Sequence, residues 1–529
     1  MSREPNKWWT LAAVCTAIFM LLLDITVVNV ALPDIQSDLD STFNDLQWVV
    51  DAYALTLAAF LLTMGSLADR VGRRLIFMLG LVVFCLSSIA CGLAHTPLLL
   101  NLARGVQGIG GAMMFATSLA LIAQAFTGRD RGTAFGAFGA VTGAAVAVGP
   151  LVGGAIVEAI GWEWIFFVNV PIGVFAIAIT LRYVRESHDP RPGRLDIPGF
   201  ATFSGGLFLL VFALVRGNTE GWGSPLIVGF LVGSVLLLLA FVAIELRAEH
   251  PMLELALFRN RSFAGAALVA FCISSSLFSM FLYLTLYVQN VLGYSPLEAG
   301  VRFLPITLMS FFVAPVAGRL SARVPVRLLL GTGMALVAAG LVLMRFVDPT
   351  SGWTALLAGF IVGGAGIGLT NPPLASTQVG VVDPRESGMA SGIGNTFRQV
   401  GIATGIAAYG AFFEHEVRQK FLESFAANPL PDPPTGTKSG TISALIDSGA
   451  LTSGRIREIA VEAEPGGPWA DAARRQVIDM AHGAFTGALD ELLLIAAAVA
   501  ALGSLAGYML VRQQDFVVPP DAAPDAAAP

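Results

Sequence analysis

The chain has 529 residues, of which 55% are hydrophobic and only 13% charged, with a mean hydropathy of +0.73 and a net charge of −6. A soluble globular chain carries about 25% charged residues, so the composition argues for a surrounding solvent that is itself apolar. No basic cluster points to nucleic acid.

A bilayer core of ~30 Å takes about 20 apolar residues per helix. In chain order, fourteen such spans fall near 8–32, 46–68, 75–94, 97–121, 132–157, 164–184, 197–215, 225–246, 262–288, 299–320, 327–347, 353–376, 387–413 and 485–511. The expected fold is therefore all-α, with fourteen transmembrane helices. The first apolar run follows Arg3 and Lys7 but is too long for a signal peptide and precedes no small-residue cleavage site. It reads as an uncleaved helix 1. Cys15, Cys85, Cys91 and Cys272 all lie in apolar runs, and none is spaced as CxxC. They read as small buried hydrophobes.

Arginine sets the orientation. Alternate loops carry Arg70/Arg73/Arg74, Arg129/Arg131, Arg182/Arg185/Arg191/Arg194, Arg259/Arg261, Arg319/Arg323/Arg327 and Arg385. The opposite loops carry few; 33–46 holds Asp34, Asp38, Asp40 and Asp45 and no Lys or Arg. The positive-inside rule puts both termini in the cytoplasm. The loop 414–484 carries seven Lys/Arg, but loops beyond ~60 residues fall outside that rule. Trp8, Trp9, Trp48, Trp162, Trp164, Trp222 and Trp353 fall at helix ends, as an interfacial aromatic belt does.

Two loops match without gaps. Gly65-Ser-Leu-Ala-Asp-Arg-Val-Gly-Arg-Arg74 aligns with Gly318-Arg-Leu-Ser-Ala-Arg-Val-Pro-Val-Arg327, with Asp69 replaced by Ala322 and Gly72 by Pro325. They join corresponding helices of two six-helix halves once helices 7 and 8 are set aside. The expected organisation is 1–190 and 252–515 as the halves and 191–251 as inserted helices. Within it, 414–484 is a long external loop, and 516–529 is a disordered cytoplasmic tail. In the first copy, Gly65, Asp69, Arg70, Gly72, Arg73 and Arg74 read as a conformational latch, a charge network that holds one state and breaks in the other. The plainer alternative is that the arginines only fix topology. Gly139/Gly143 and Gly149/Gly153 on helix 5 are small-xxx-small pairs for close packing, with Gly149-Pro150 placed to kink the helix.

Ionisable groups inside a membrane are functional candidates by default. Asp24 of helix 1, Asp51 of helix 2 and Arg104 of helix 4 all fall in the outer half of the first six helices. Arg104 is within reach of either acid, and Asp51 is expected nearer to water. One reading is a proton site whose load depends on the Arg partner and on water access. The other is a permanent ion pair locking the helices. Asn29, Gln107, Tyr283, Tyr287, Gln289, Asn371, Asn395 and Arg398 are candidates for a substrate cavity, each also explicable as an interhelical hydrogen bond. All five histidines lie at helix ends or in loops, and no cluster suits an enzyme or a metal. No G-x-x-x-x-G-K-[ST] string is present, so ATP is not the expected energy source. No cofactor is expected beyond the proton motive force.

On these motifs the chain resembles the 14-helix drug:proton antiporters of the major facilitator superfamily. Leu23-Asp24-Ile-Thr-Val-Val-Asn29-Val-Ala-Leu-Pro33 is similar to that branch's first-helix motif, and Gly65–Arg74 to the superfamily's loop motif. Leu102-Ala-Arg104-Gly-Val-Gln107-Gly108-Ile-Gly110 resembles its fourth-helix motif. Gly139, Gly143, Gly149, Pro150, Gly153 and Gly154 resemble its antiporter motif. Trp164-Ile-Phe-Phe-Val-Asn169-Val-Pro171 and Arg385-Glu-Ser-Gly388 with Ser391-Gly392 fit the same family. The resemblance implies export of organic compounds in exchange for protons, multidrug or antibiotic efflux, by a protein functional as a monomer. A mostly apolar cavity suits monocationic or neutral amphipathic compounds. The alternative is export of an endogenous metabolite or lipid.

Overall fold

The computed structural model describes residues 7–126, 129–187, 196–249, 251, 253–321, 323–345, 347, 351–382, 387–428 and 468–516. Among them run fourteen long helices. They are α1 (Lys7–Asp38), α2 (Phe43–Val71), α3 (Arg73–Gly92), α4 (Pro97–Ala125), α5 (Arg129–Ile160), α6 (Trp164–Tyr183), α7 (Ile197–Glu220) and α8 (Pro225–Glu245). Then follow α9 (Arg261–Val291), α10 (Pro296–Leu320), α11 (Val326–Leu343), α12 (Thr354–Gly380), α13 (Ser387–Ala427) and α14 (Pro468–Leu510). Helix α9 contains two π turns, Ser274–Phe278 and Tyr287–Val291. Among the described residues, eleven helices are long and apolar enough to cross a membrane.

The pairing of helices repeats. Helix α4 packs on α2 and α3, α1 on α5 and α6, and α3 on α6. Eight positions later in the series, α12 packs on α10 and α11, α9 on α13 and α14, and α11 on α14. Helices α2 and α10 both begin with a capping box, Thr42 with Asp45 and Ser295 with Glu298, in which side chain and backbone satisfy each other's orphan donors. The two matching loops leave the other ends of those helices. The two sets of six meet chiefly along two contacts, α2 against α13 and α5 against α10.

Helices α7 and α8 pack on each other, and α7 lies over the α2/α13 contact. Phe60 and Trp48 of α2 pack against Phe200 and Phe208 of α7, edge-on and tilted, at 4.8 and 6.1 Å between ring centroids. At the other side of the contact, Asn218 Nδ2 of α7 donates to the carbonyl of Ala411 at 2.6 Å and to Glu414 at 3.1 Å.

Two expectations change. The stretch 414–484 is not all loop: α13 continues to Ala427 and α14 starts at Pro468. At ~1.5 Å per residue, these helices of 41 and 43 residues are each about twice as long as the ~30 Å core. The reason is a second apolar seam beyond the bilayer, where buried Val417 and Phe421 of α13 belong to one core with Val477, Ala481 and Phe485 of α14. The middle of that stretch, 429–467, and the tail from 517 lie outside the described residues, as does Arg385. The aromatic belt is also mixed. Trp8, Trp9, Trp164 and Trp222 are exposed, but Trp162 is buried and donates to Asp38 at 3.0 Å, tying the start of α6 to the end of α1.

Candidate functional site

The end of the bundle that carries Lys7 and Leu510 is the terminal end, and the opposite one the far end. In the far half, one buried polar network joins five helices. Arg104 Nη1 of α4 lies 2.6 Å from Asp24 Oδ2 of α1, and both side chains are essentially without solvent contact. The same nitrogen donates to Gln107 Oε1 at 2.6 Å, and Arg104 Nε donates to the Val49 carbonyl of α2 at 3.0 Å. The other Asp24 oxygen accepts from Gln107 Nε2 at 2.9 Å and from Asn169 Nδ2 of α6 at 2.8 Å. Ser88 Oγ of α3 accepts from both amides, at 2.8 and 3.3 Å. The Tyr53 ring closes the site, its centroid 4.3 Å from Arg104 Cζ. A buried ion pair is stable only when its remaining donors and acceptors are satisfied, and this network comes close to that condition.

Asp51 does not join it. Of the two acids within sequence reach of Arg104, the structure selects Asp24. Asp51 was expected nearer to water, yet it is fully buried, and neither carboxylate oxygen has a hydrogen-bond partner among the described residues. Its place is the α2/α13 contact. One turn away, Gln47 Nε2 of α2 donates to the Ile406 carbonyl of α13 at 3.1 Å, an acceptor shared with Tyr283 Oη of α9 at 2.9 Å. Phe43 of α2 packs against the rings of Tyr283 and Phe413, 6.2 Å from each.

The second contact, α5 against α10, is backbone on backbone. A Cβ on Gly154 would lie 2.7 Å from Leu297 Cα, and one on Gly300 would lie 2.9 Å from the Pro150 carbonyl carbon. Only glycine permits that approach. Glu158 of α5 then accepts from Ser295 Oγ at 2.6 Å and from the Leu297 N–H at 3.2 Å. Gln289 Nε2 of α9 donates to the Val30 carbonyl of α1 at 2.8 Å. All these bonds lie in the far half, so the two sets of helices are sealed together at that end. Pro150 thus works with Gly154 on the seal. Gly149 and Gly153 serve another neighbour: a Cβ on Gly149 would overlap Thr26 of α1, and one on Gly153 would sit 2.9 Å from Val27 Cγ1. Gly139 and Gly143 lie further down α5, towards the terminal end.

Beneath the seal is a narrow cleft between the two sets, lined by Thr26, Asn29, Phe278, Phe281, Thr307 and Ile402 among others. Asn29 was singled out from the sequence, and the others were not. Gln107 belongs to the charge network, and Tyr283 and Gln289 to the seal. Tyr287 is buried at the second π turn of α9, and Asn395 is half-buried on α13. Asn371 of α12 accepts from Arg398 Nη2 of α13 at 3.0 Å.

At the terminal end, the α2–α3 loop turns on Gly72, whose φ of 132° favours glycine. A side chain there would also strike the carboxylate of Glu186, 2.7 Å from its Cδ. Glu186 accepts from the N–H groups of Arg74 and Leu75 at 2.9 and 3.1 Å, capping α3 from the α6–α7 connection. Arg74 Nη2 donates back to the Leu181 carbonyl at 2.9 Å, and the Arg73 N–H to that of Ser187 at 2.8 Å. Arg70 is exposed, and a Cβ on Gly65 would make only ordinary contact with Ala116. The side chain of Asp69 lies outside the described residues. Glu186 was missed in the sequence; its one signal is an acid directly beside Arg185.

The family profile described as "Major Facilitator Superfamily" matches residues 14–406. The puromycin resistance protein pur8 of Streptomyces alboniger is 39% identical over 409 residues, covering 76% of this chain and 81% of the relative. The tetracenomycin C resistance and export protein of Streptomyces glaucescens is 35% identical, covering 80% and 79%. The multidrug resistance protein Stp of Mycobacterium tuberculosis is also 35% identical, with the same coverage. Among solved structures, a bacterial homolog of the human lysosomal transporter Spinster, in an inward-facing and unoccupied conformation, superposes with a TM-score of 0.61 at 17% identity, covering 98% of this chain and 100% of that one.

Proposed function

The chain belongs to the major facilitator superfamily, and from that premise we propose that it is a proton-driven antiporter exporting amphipathic organic compounds from a bacterial cell. The relatives named for resistance and export support the direction of transport. The contrast between two buried acids supports the coupling.

In this reading the halves 1–190 and 252–515 rock about the cleft, with α7 and α8 as an insertion between them. Both termini face the cytoplasm, so the sealed far end is the outside and the state described is open inward. Asp24 is the fixed member. With three donors on its carboxylate it holds Arg104 and ties α1, α4 and α6. Asp51 is the member that changes. A carboxyl buried without a partner is held at least cost as the neutral acid. Parting of the α2/α13 contact brings water to it and allows the proton to leave or return. The proton is thereby loaded in one state and exchanged in the other, and one proton crossing ~100 mV supplies about 2.3 kcal/mol from the potential alone. Glu186, Gly72 and Arg74 form the latch at the opposite end.

The test is substrate addition to energised inverted vesicles containing the protein, with a pH-sensitive dye inside. A panel of amphipathic compounds should release protons from the lumen. No pH response to any of them would reject proton antiport.

A further inference from the structure

Arg104 and Arg398 are the two arginines set deep in the described bundle, and their surroundings differ. Arg104 has an anion, an amide, a carbonyl and an aromatic face around it. Arg398 has one neutral partner, the Asn371 oxygen at 3.0 Å, and no carboxylate within ion-pair distance among the described residues. A guanidinium offers five N–H donors in a planar fork, and most of this fork is unused. Arg398 is also half-buried, whereas Arg104 is closed off.

Its position on α13 gives the open donors a direction. Residues four apart share a helix face, so Arg398 stands one turn before Ile402 and two before Ile406, both of which line the cleft. Asn371 is followed by Pro372 and Pro373, inside α12. It holds the guanidinium through one nitrogen. The cleft's own polar groups are the neutral Asn29, Thr26 and Thr307. Of the nearby acids, Asp24 is consumed by Arg104, and Asp51 is sealed in the α2/α13 contact. Among the described residues, the site therefore presents a cation to its cargo and no accessible anion.

We propose that Arg398, held by Asn371, is a specificity residue that takes a carboxylate of the cargo, so that the transported class is aromatic amphiphiles bearing a carboxylate. The assignment rests on the efflux reading above and revises the charge preference expected from the sequence from monocationic or neutral to anionic. The aromatic body of such a cargo meets Phe278 and Phe281, while its oxygen reaches the guanidinium one turn nearer the terminal end. An Arg fork matches a carboxylate in two parallel bonds, which a Lys ammonium cannot do.

The test uses the full chain in lipid nanodiscs with three xanthene dyes of similar shape, read by fluorescence anisotropy: fluorescein, its methyl ester and the cationic rhodamine 6G. Wild type should bind fluorescein at least tenfold more tightly than the ester or rhodamine 6G. Arg398→Gln should weaken fluorescein at least tenfold and leave rhodamine 6G within twofold. Arg398→Lys, which keeps the charge and serves should the Gln variant not fold, should fall between. Wild type preferring rhodamine 6G, or equal loss for all dyes in either variant, overturns the assignment. Those outcomes leave the efflux reading intact, which fails separately if energised vesicles respond to no compound of the panel.

Discussion

The α5/α10 seal gives the most direct handle on the conformational cycle. Replace Gly300 by Ala. The new Cβ falls 2.9 Å from the Pro150 carbonyl carbon and 3.2 Å from Leu151 Cα, and closer still to the Pro150 oxygen. Carbon atoms rest at about 3.5–4.0 Å, so the helices must part by several tenths of an ångström. The obstacle is backbone, which cannot rotate aside. Overpacking of this kind costs roughly 1–3 kcal/mol, and the cost vanishes in any state where α5 and α10 have separated. The equilibrium should shift toward that state by about 5- to 150-fold. Double electron–electron resonance reads it directly, with spin labels on cysteines introduced at Leu98 of α4 and Leu422 of α13. Both positions are exposed on opposite sets of helices near the far end, and all four native cysteines are buried. The long-distance population should grow at least fivefold in Gly300→Ala. Gly229→Ala, where an added Cβ meets nothing within 4 Å, should match wild type. A Gly300→Ala protein that folds and gives the wild-type distance distribution would refute the reasoning.

The two acids should separate by their variants. Asp24→Asn strands a buried Arg104 and should lower stability by about 3–5 kcal/mol, seen as reduced yield and an earlier thermal transition in detergent. An unchanged transition would show that the network does not hold the helices. Asp51→Asn removes no hydrogen bond and should melt within a few degrees of wild type, yet lose substrate-induced proton release in vesicles; retained release would move the coupled proton elsewhere. Glu186→Ala should cost about 1–2 kcal/mol as a lost helix cap and slow transport, with Glu186→Gln recovering part of both. Equal rates in all three proteins would reduce Glu186 to a surface residue.

Hydropathy located each helix of the bundle, and loop similarity paired α2–α3 with α10–α11. Both follow from local facts: a span must be apolar over its own length, and a repeat preserves its own turns. Arg104 was also recognisable as needing an acid, because an unpaired charge in hydrocarbon is costly whatever the fold. The identity of that acid was not recognisable. Asp24 and Asp51 lie on different helices at comparable depth, and only the rotation and neighbours of α1 and α2 separate them. Asn169 and Ser88, which complete the network, look in sequence like ordinary polar residues within apolar runs. Glu186 sits more than a hundred positions from the helix end it caps. Periodicity along one helix says which face avoids lipid. It does not say which of several protein neighbours that face will meet. That choice depends on close approaches between distant backbones, such as Gly154 on Leu297 and Gly300 on Pro150. The sequence by itself therefore determined the membrane, the helices and the inventory of buried charge. The tertiary structure alone decided which of those charges are paired, where the bundle is sealed, and which arginine still has donors to offer.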